Sequence, residues 1–137
     1  MEATRRRLAA FGWGLATLST AWLAWMALRP NPQVAEELQP ISAGAWGLGI
    51  SPALVIGFVG NIVVFVPLGI GLGVALGERI FLAIALGASV SLAIELLQLS
   101  MPSRVSSPID FVLNTAGVAI GVLLIHFTFR KVWRKND

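Results

Sequence analysis

The chain has 137 residues, of which 56% are hydrophobic and 12% are charged, so it is far more apolar than a soluble domain of this length. It contains no cysteine and a single histidine, which excludes disulfides and leaves too few ligands for a thiolate or histidine metal cluster. Its net charge of +3 comes from basic residues at the ends of apolar stretches, so we expect no nucleic-acid partner. We also expect no metal and no cofactor.

Four apolar stretches follow one another along the chain. They cover residues 8–28, 53–77, 80–97 and 109–129, and each can cross roughly 30 Å of hydrocarbon as a helix. The sequence therefore predicts an all-α fold: a polytopic membrane bundle with four transmembrane helices, forming a single domain over residues 1–137.

The basic residues indicate how these helices are oriented. With four spans, eight of the ten Lys and Arg residues fall on one side of the membrane, and Arg29 and Arg104 fall on the other. The positive-inside rule then places both termini in the cytoplasm. We therefore predict a multi-pass protein of the cytoplasmic (inner) membrane.

The first apolar stretch carries no charge, and Trp22 and Trp25 near its outer end are typical of an interfacial belt. Because three arginines precede it, a signal peptide is an alternative. Prolines at positions 30, 32 and 40 then indicate an external loop over residues 29–51. Residues 41–52 of this loop either lie in the membrane interface or dip into the membrane.

The second stretch begins with Ser51 and Pro52, an N-cap followed by a proline in the first turn. It carries Asn61 roughly 14 Å from its outer end. Pro67 predicts a kink that leaves the carbonyl of residue 63 without a partner. Beyond it Gly69, Gly73 and Gly77 recur at four-residue spacing. Such a face predicts close helix packing, either within the chain or with another copy in a homo-oligomer.

The third stretch follows a short turn at residues 77–79, so we expect the second and third helices to form an antiparallel hairpin. Ala83, Gly87 and Ser91 make a small-residue face that leads to Glu95, and Gln98 lies on nearly the same side. An ionised carboxylate inside a membrane helix costs roughly 2.5 to 3.5 kcal/mol, so Glu95 either pairs with Arg104 or is protonated. Glu95 is the best candidate for a catalytic residue.

The fourth stretch repeats the cap with Ser107 and Pro108 and carries Asp110 and Asn114 on consecutive turns. Asp110 is equally well placed for a capping box. An alternative role for Asn61 and Asn114 is purely structural: each forms a hydrogen bond between helices. Gly117 and Gly121 form another close-packing pair, and His126 near the cytoplasmic end is more typical of an interfacial residue than of a catalytic one.

These polar residues fall in the same half of the membrane, because the second and fourth helices descend from outside and the third returns. The topology thus predicts one outward-facing polar pocket among three helices, with Arg104 above it from the loop. Its predicted ligand-binding residues are Asn61, Glu95, Gln98, Arg104, Asp110 and Asn114.

The same residues carry a resemblance to a known family. NIVVFVPLG at residues 61–69, ELLQ at 95–98 and RVSSPIDFVLNTAG at 104–117 resemble the VanZ-like family of bacterial integral membrane proteins, over about residues 55–124. The family takes its name from a protein associated with low-level resistance to the glycopeptide teicoplanin. One departure is Ser107, which stands where many relatives have an acid.

The resemblance and the pocket together imply a protein that binds or modulates an amphiphilic cell-envelope molecule, such as a membrane lipid, a lipid-linked wall precursor or a glycopeptide with a lipid tail. One alternative is an enzyme of the outer leaflet in which Glu95 acts as general acid or base and Arg104 stabilises negative charge. Another is a structural or assembly subunit in which the polar residues only hold helices together. Transport is weakly indicated, because only His126 continues the polar path inward.

Overall fold

The computed structural model describes residues 2–29, 52–101 and 108–134. These residues form four helices and no strand: α1 over Glu2–Leu28, α2 over Pro52–Leu76, α3 over Ile80–Leu99 and α4 over Pro108–Arg134. The predicted all-α bundle is confirmed. The external loop, the caps at Ser51 and Ser107, and Arg104 lie outside the described residues.

Three of the four helices are long and apolar enough to cross a membrane: Val55–Leu76, Ile80–Leu99 and Pro108–Phe129. The remaining helix, α1, is also long enough, but its Thr, Ser and Trp residues lower its mean hydropathy. Trp22 and Trp25 are well exposed on its surface, and the guanidinium carbon of Arg29 lies 4.8 Å from the centroid of the Trp25 ring. That α1 also crosses the membrane remains a prediction.

The turn between α2 and α3 is built on a glycine. Gly77 has a φ of 61°, a left-handed conformation that favours glycine at a helix C-terminus. Its N–H donates to the carbonyl oxygen of Gly73 at 2.9 Å. The chain then reverses, and α3 begins at Ile80. Upstream of this turn, α2 continues as one helix through Pro67.

The helix α2 contacts all three other helices, and its most extensive contact is with α4 rather than with its hairpin partner α3. Along this contact the pairs Gly69 with Val118 and Gly73 with Val122 advance together in sequence, so α2 and α4 are parallel. A Cβ on Gly121 would lie 2.7 Å from the backbone nitrogen of Ile70. Close packing at Gly69 and Gly73 is confirmed, with α4 as the neighbour, whereas Gly77, the third glycine of the predicted face, forms the turn.

Packing of α1 on α2 uses a second set of small residues. A Cβ on Gly12 would lie 2.7 Å from the carbonyl oxygen of Gly71, and one on Gly71 would lie 2.6 Å from the backbone nitrogen of Ala16. The two backbones therefore touch at reciprocal glycines, an arrangement that favours helix association inside a membrane. By contrast, Gly14, Gly57 and Gly60 have open space where a Cβ would stand. Homo-oligomerisation through glycine faces stays a prediction.

Between α2, α3 and α4 the centre of the bundle is filled by Val118, whose exposed fraction is 0%. A Cβ on Gly69 would meet the Val118 backbone, and one on Gly87 would meet the Val118 side chain. Both glycines therefore make room for one valine. Leu68 and Val122 are buried beside it in the same core, so the bundle is closed to polar groups at this level.

Candidate functional site

Polar side chains from three helices meet at the end of the bundle where α2 and α4 begin and α3 ends. Asn61 of α2 donates from Nδ2 to Oδ1 of Asp110 on α4 at 2.8 Å. Glu95 of α3 is close enough to Asp110 for their charges to interact. We call Asn61, Glu95 and Asp110 the polar cluster. Three of the residues predicted for the site are thus brought together by the fold.

The register of α3 against α4 explains why these side chains meet. Glu95 lies by Asp110, Ser91 bonds to Asn114, and Gly87 faces Val118, so each step of four residues back along α3 matches four residues forward along α4. This is the pairing of antiparallel helices. Side chains four residues apart lie on one face of a helix. Three pairs therefore follow one another into the bundle: first the two carboxylates, then a hydroxyl with an amide, and then a glycine with a valine.

Glu95 is exposed to only 6% although it carries an ionisable group. It belongs to the part of α3 that packs on α4, next to the buried Ile94. Asp110 and Asn61 are half-buried. The cluster therefore reaches from the interior at Glu95 towards the bundle end at Asp110, two residues after α4 begins.

One turn deeper, Asn114 is exposed to 4% and donates from Nδ2 to Oγ of Ser91 at 3.1 Å. Its Oδ1 is buried and has no hydrogen-bond partner among the described residues. The hydroxyl of the next residue, Thr115, is also buried and has no partner in the part of the chain that the structure describes. A buried polar atom without a hydrogen bond costs roughly 1 to 3 kcal/mol, so this level of the bundle has unused capacity for polar contacts.

Of the remaining predicted site residues, Gln98 is among the described residues and Arg104 is not. Gln98 is half-buried on α3 and makes no side-chain hydrogen bond to a described residue. Arg104, predicted to lie above the pocket, and Ser107, the other half of the proposed capping box, are outside the described residues. His126 lies far along α4 towards its other end, with its ring 5.6 Å from that of Phe127 in an edge-on arrangement.

Sequence reasoning missed two polar residues of this region. Ser91 was assigned to the small-residue face and not recognised as the partner of Asn114, and Thr115 drew no attention. The available signal was the spacing: Ser91 lies four residues before Glu95, and Asn114 lies four residues after Asp110. In antiparallel helices, if Glu95 lies beside Asp110, then Ser91 lies beside Asn114.

The arrangement can hold a polar group at one end of an otherwise apolar bundle. It contains the carboxylates of Glu95 and Asp110, the Asn61 amide and an Asn114 oxygen that has no hydrogen-bond partner among the described residues. Beneath Asn114 the bundle is filled by Val118. A group that enters from the polar end therefore meets a closed apolar core after about one further helical turn.

Comparison with known proteins agrees with this architecture. A family model described as VanZ/LLP1 matches residues 9–130, nearly the whole chain. No curated protein matches the chain, and no solved structure does. The matched region includes the polar cluster, the Ser91 and Asn114 pair and the glycine-packed core. The chain belongs to the VanZ/LLP1 family.

Proposed function

We propose that this protein resides in the cytoplasmic membrane and binds the polar headgroup of an amphiphilic cell-envelope molecule at the polar cluster. The observation that carries the proposal is the meeting of Asn61, Glu95 and Asp110 above a buried amide oxygen with no described partner. Polar groups at membrane depth are costly unless they are paired, and they commonly mark binding sites or ion pathways. A headgroup would supply a hydrogen-bond donor to the Asn114 oxygen, which has no partner among the described residues.

In this proposal the residues of the site have separate roles. Asn61 and Asp110 are bonded to each other at the open end, where a headgroup would first make contact. Ser91 and Asn114 form the inner limit. Arg104 would meet an anionic group such as a phosphate or carboxylate.

The membrane orientation is part of the proposal and is supported by the distribution of basic residues. Because the chain has no cysteine, single introduced cysteines can report the membrane orientation. In intact cells we expect a membrane-impermeant maleimide to label Ser100→Cys at the polar end. Glu78→Cys in the α2–α3 turn should be labelled only after lysis. The opposite labelling pattern would place the site on the cytoplasmic face.

The molecule bound is, in this proposal, a lipid-linked wall precursor or a glycopeptide that carries a lipid tail, which links the protein to low-level teicoplanin resistance. Expression of the protein should reduce susceptibility to teicoplanin more than to vancomycin, which lacks the tail. Glu95→Ala should abolish the difference. Ser89→Ala is the matched control, because Ser89 is an exposed residue of α3 whose hydroxyl bonds to the carbonyl oxygen of Ala85 in its own helix at 2.8 Å. An equal response to both drugs would contradict the part of the proposal in which the lipid tail contributes to recognition.

Direct binding provides the second test. Purified protein in detergent should bind one of these amphiphiles saturably, and Glu95→Ala should weaken binding while Ser89→Ala leaves it unchanged. Unsaturable binding to every wall precursor and glycopeptide tried would refute the proposal.

An enzymatic role is the second candidate, favoured by the nearness of two carboxylates, Glu95 and Asp110. Such a pair suits general acid and base catalysis on a lipid-linked substrate at the outer leaflet. Mass spectrometry of envelope lipids decides between the two roles. Enzymatic turnover requires a lipid species that accumulates on deletion and falls on overexpression, whereas a binding protein changes neither.

A further inference from the structure

One side of α1 packs on α2, and the opposite side is exposed. Gly12 lies against the α2 backbone, whereas Phe11 and Leu18 are 66% and 71% exposed. Arg7 is exposed as well. Positions 7, 11, 14 and 18 are separated by steps of four, three and four, so they lie on one face of the helix. The outer strip of α1 is defined by Arg7, Phe11, Gly14 and Leu18.

The register of α1 on α2 places Arg7 at the end of the bundle opposite the polar cluster. Gly12 packs on the backbone of Ala75, and Gly71 packs on that of Ala16, so the two helices are antiparallel. Each step back along α1 therefore matches a step forward along α2, and residue 8 is level with the α2–α3 turn. Arg7 lies just beyond this turn, while the apolar part of the outer strip runs alongside the bundle.

The outer strip is as long as one leaflet of a membrane. Leu18 follows Arg7 by 11 positions, a helical rise of about 16 Å, and half of a hydrocarbon core is about 15 Å thick. Phe11 and Trp13 are exposed near the arginine end, as is typical of the membrane–water interface. Further along, a Cβ on Gly14 would have nothing within 4 Å, so the strip has a shallow depression. A charge at one end of an apolar surface of this length matches a phospholipid.

Charge favours an anionic lipid on this strip. Arg6 pairs with Glu2 at 2.6 Å, whereas Arg7 has no ion pair with a described residue. A guanidinium group binds phosphate oxygens through paired, charge-assisted hydrogen bonds. A second copy of the chain is disfavoured, because a two-fold contact through this strip would bring the same residue of each copy together. Two Arg7 side chains would then repel each other.

We propose that the outer strip of α1 binds one anionic phospholipid, whose phosphate contacts Arg7 and whose acyl chain lies along the depression at Gly14. With α1 crossing the membrane as the sequence predicts, the bound lipid holds Arg7 at the level of the headgroups. The site lies at the other end of the bundle from the polar cluster, and it does not depend on the ligand proposed there.

Native mass spectrometry of the full-length protein, released from detergent, counts bound lipids directly. The probes are dioleoyl phosphatidylglycerol, which is anionic, and dioleoyl phosphatidylcholine, which has the same chains and no net charge. We expect phosphatidylglycerol to bind more tightly, and Arg7→Gln should lower its affinity about fivefold, the factor for one basic residue near an anionic lipid surface. Arg6→Gln is the matched control, because it removes the same charge from a side chain that Glu2 already pairs.

Three results would overturn the inference. Equal affinities for the two lipids, or equal losses in Arg7→Gln and Arg6→Gln, would show that Arg7 does not select an anionic headgroup. Displacement of phosphatidylglycerol by glycerol 3-phosphate would reveal an anion site in which the acyl chain has no part. A loss of binding in Asn61→Ala but not in Arg7→Gln would place the lipid at the polar cluster and leave the proposed function standing.

Gly14→Cys tests for a second copy on the same face. The chain has no cysteine, and a Cβ at this position has open space. In membranes treated with an oxidant, we expect Gly14→Cys to remain monomeric. A disulfide-linked dimer as the main product would show that a second copy covers the strip and would overturn the lipid. Circular dichroism checks that each variant is folded, and the ratio of affinities for the two lipids in the unaltered protein tests the charge preference without any variant.

Discussion

The two ends of the α2, α3 and α4 bundle are held together by different forces. At one end side chains meet: Asn61 bonds to Asp110, and Asn114 bonds to Ser91. Further along, backbones meet, because Gly69 and Gly87 admit Val118 and Gly121 admits the backbone of α2. At the polar end a buried amide oxygen has no hydrogen-bond partner among the described residues, whereas Val118 and Val122 are fully enclosed in the core.

This difference separates the part of the bundle that gives stability from the part that we propose binds a ligand. Hydrogen bonds between membrane helices contribute about 0.6 to 2 kcal/mol each. Glycine packing brings whole helix surfaces into van der Waals contact, and rigid backbone cannot move aside for a new side chain. We therefore expect substitutions in the core to prevent folding and substitutions in the polar cluster to change binding more than stability.

The largest expected effect is that of Gly121→Leu. Its side chain would meet the Val66 carbonyl oxygen and the Ile70 nitrogen, so α2 and α4 must separate. Overpacking typically costs about 1 to 3 kcal/mol, and we expect at least the upper value because both obstacles are backbone. The measurement is the free energy of unfolding in mixed micelles. The control is Gly57→Leu, where a Cβ has nothing within 4 Å; equal losses in the two variants would contradict the packing argument.

The next largest effect is expected for Asn61→Ala, which removes the hydrogen bond to Asp110. The free energy of unfolding should fall by about 1 to 2 kcal/mol. In a cycle with Asp110→Ala, the coupling energy should be on the order of 1 kcal/mol. Asn61→Ala combined with Ser89→Ala should be additive, since Ser89 bonds within its own helix. A coupling energy near zero between Asn61 and Asp110 would mean that their hydrogen bond does not stabilise the fold.

A smaller effect distinguishes a structural amide from a binding one. Ser91→Ala alone removes the hydrogen bond that Asn114 Nδ2 donates and should cost about 1 kcal/mol, the lower end of the range for a buried polar group left unpaired. Adding Asn114→Leu should return stability close to that of the unaltered protein, because the amide that had lost its partner is then removed as well. If the double variant also retains ligand binding, Asn114 is only a link between helices.

The smallest effect is expected for Gly60→Ala, next to Asn61 in α2. A Cβ at this position has nothing within 4 Å, so the change removes backbone freedom from the unfolded chain without a clash. We expect stability to rise by about 0.4 to 1 kcal/mol, with binding unchanged. A loss of stability would show that open glycines of α2 have contacts outside the single chain, for instance with a second copy.

Much of the fold could be predicted from the sequence, because helices that are able to span a membrane are recognisable by their length and apolar composition. The predicted and observed helices differ mainly at charged ends: α1 begins at Glu2 rather than residue 8, and α4 continues to Arg134. Charged residues end an apolar stretch without ending a helix. The grouping of Asn61 with Asp110 was also predicted, because topology brings the same end of each helix together.

Residues without a distinctive side chain were harder to interpret. Gly12 and Gly71 touch across α1 and α2, yet glycine in a sequence does not reveal which helix it faces. Serine is equally ambiguous: Ser91 bonds to Asn114, while Ser89 bonds to its own helix. Only the register between helices, fixed by packing over their full length, separates these cases.

The position of Val118 between Gly69 and Gly87 also bears on how such a chain can evolve. These three residues share one fixed volume, because the valine occupies the room that both glycines leave. A relative that acquires alanine at the position of Gly87 must lose methyl groups at the position of Val118. Substitutions there are therefore expected as compensating pairs, with side-chain sizes that vary in opposite directions across the family.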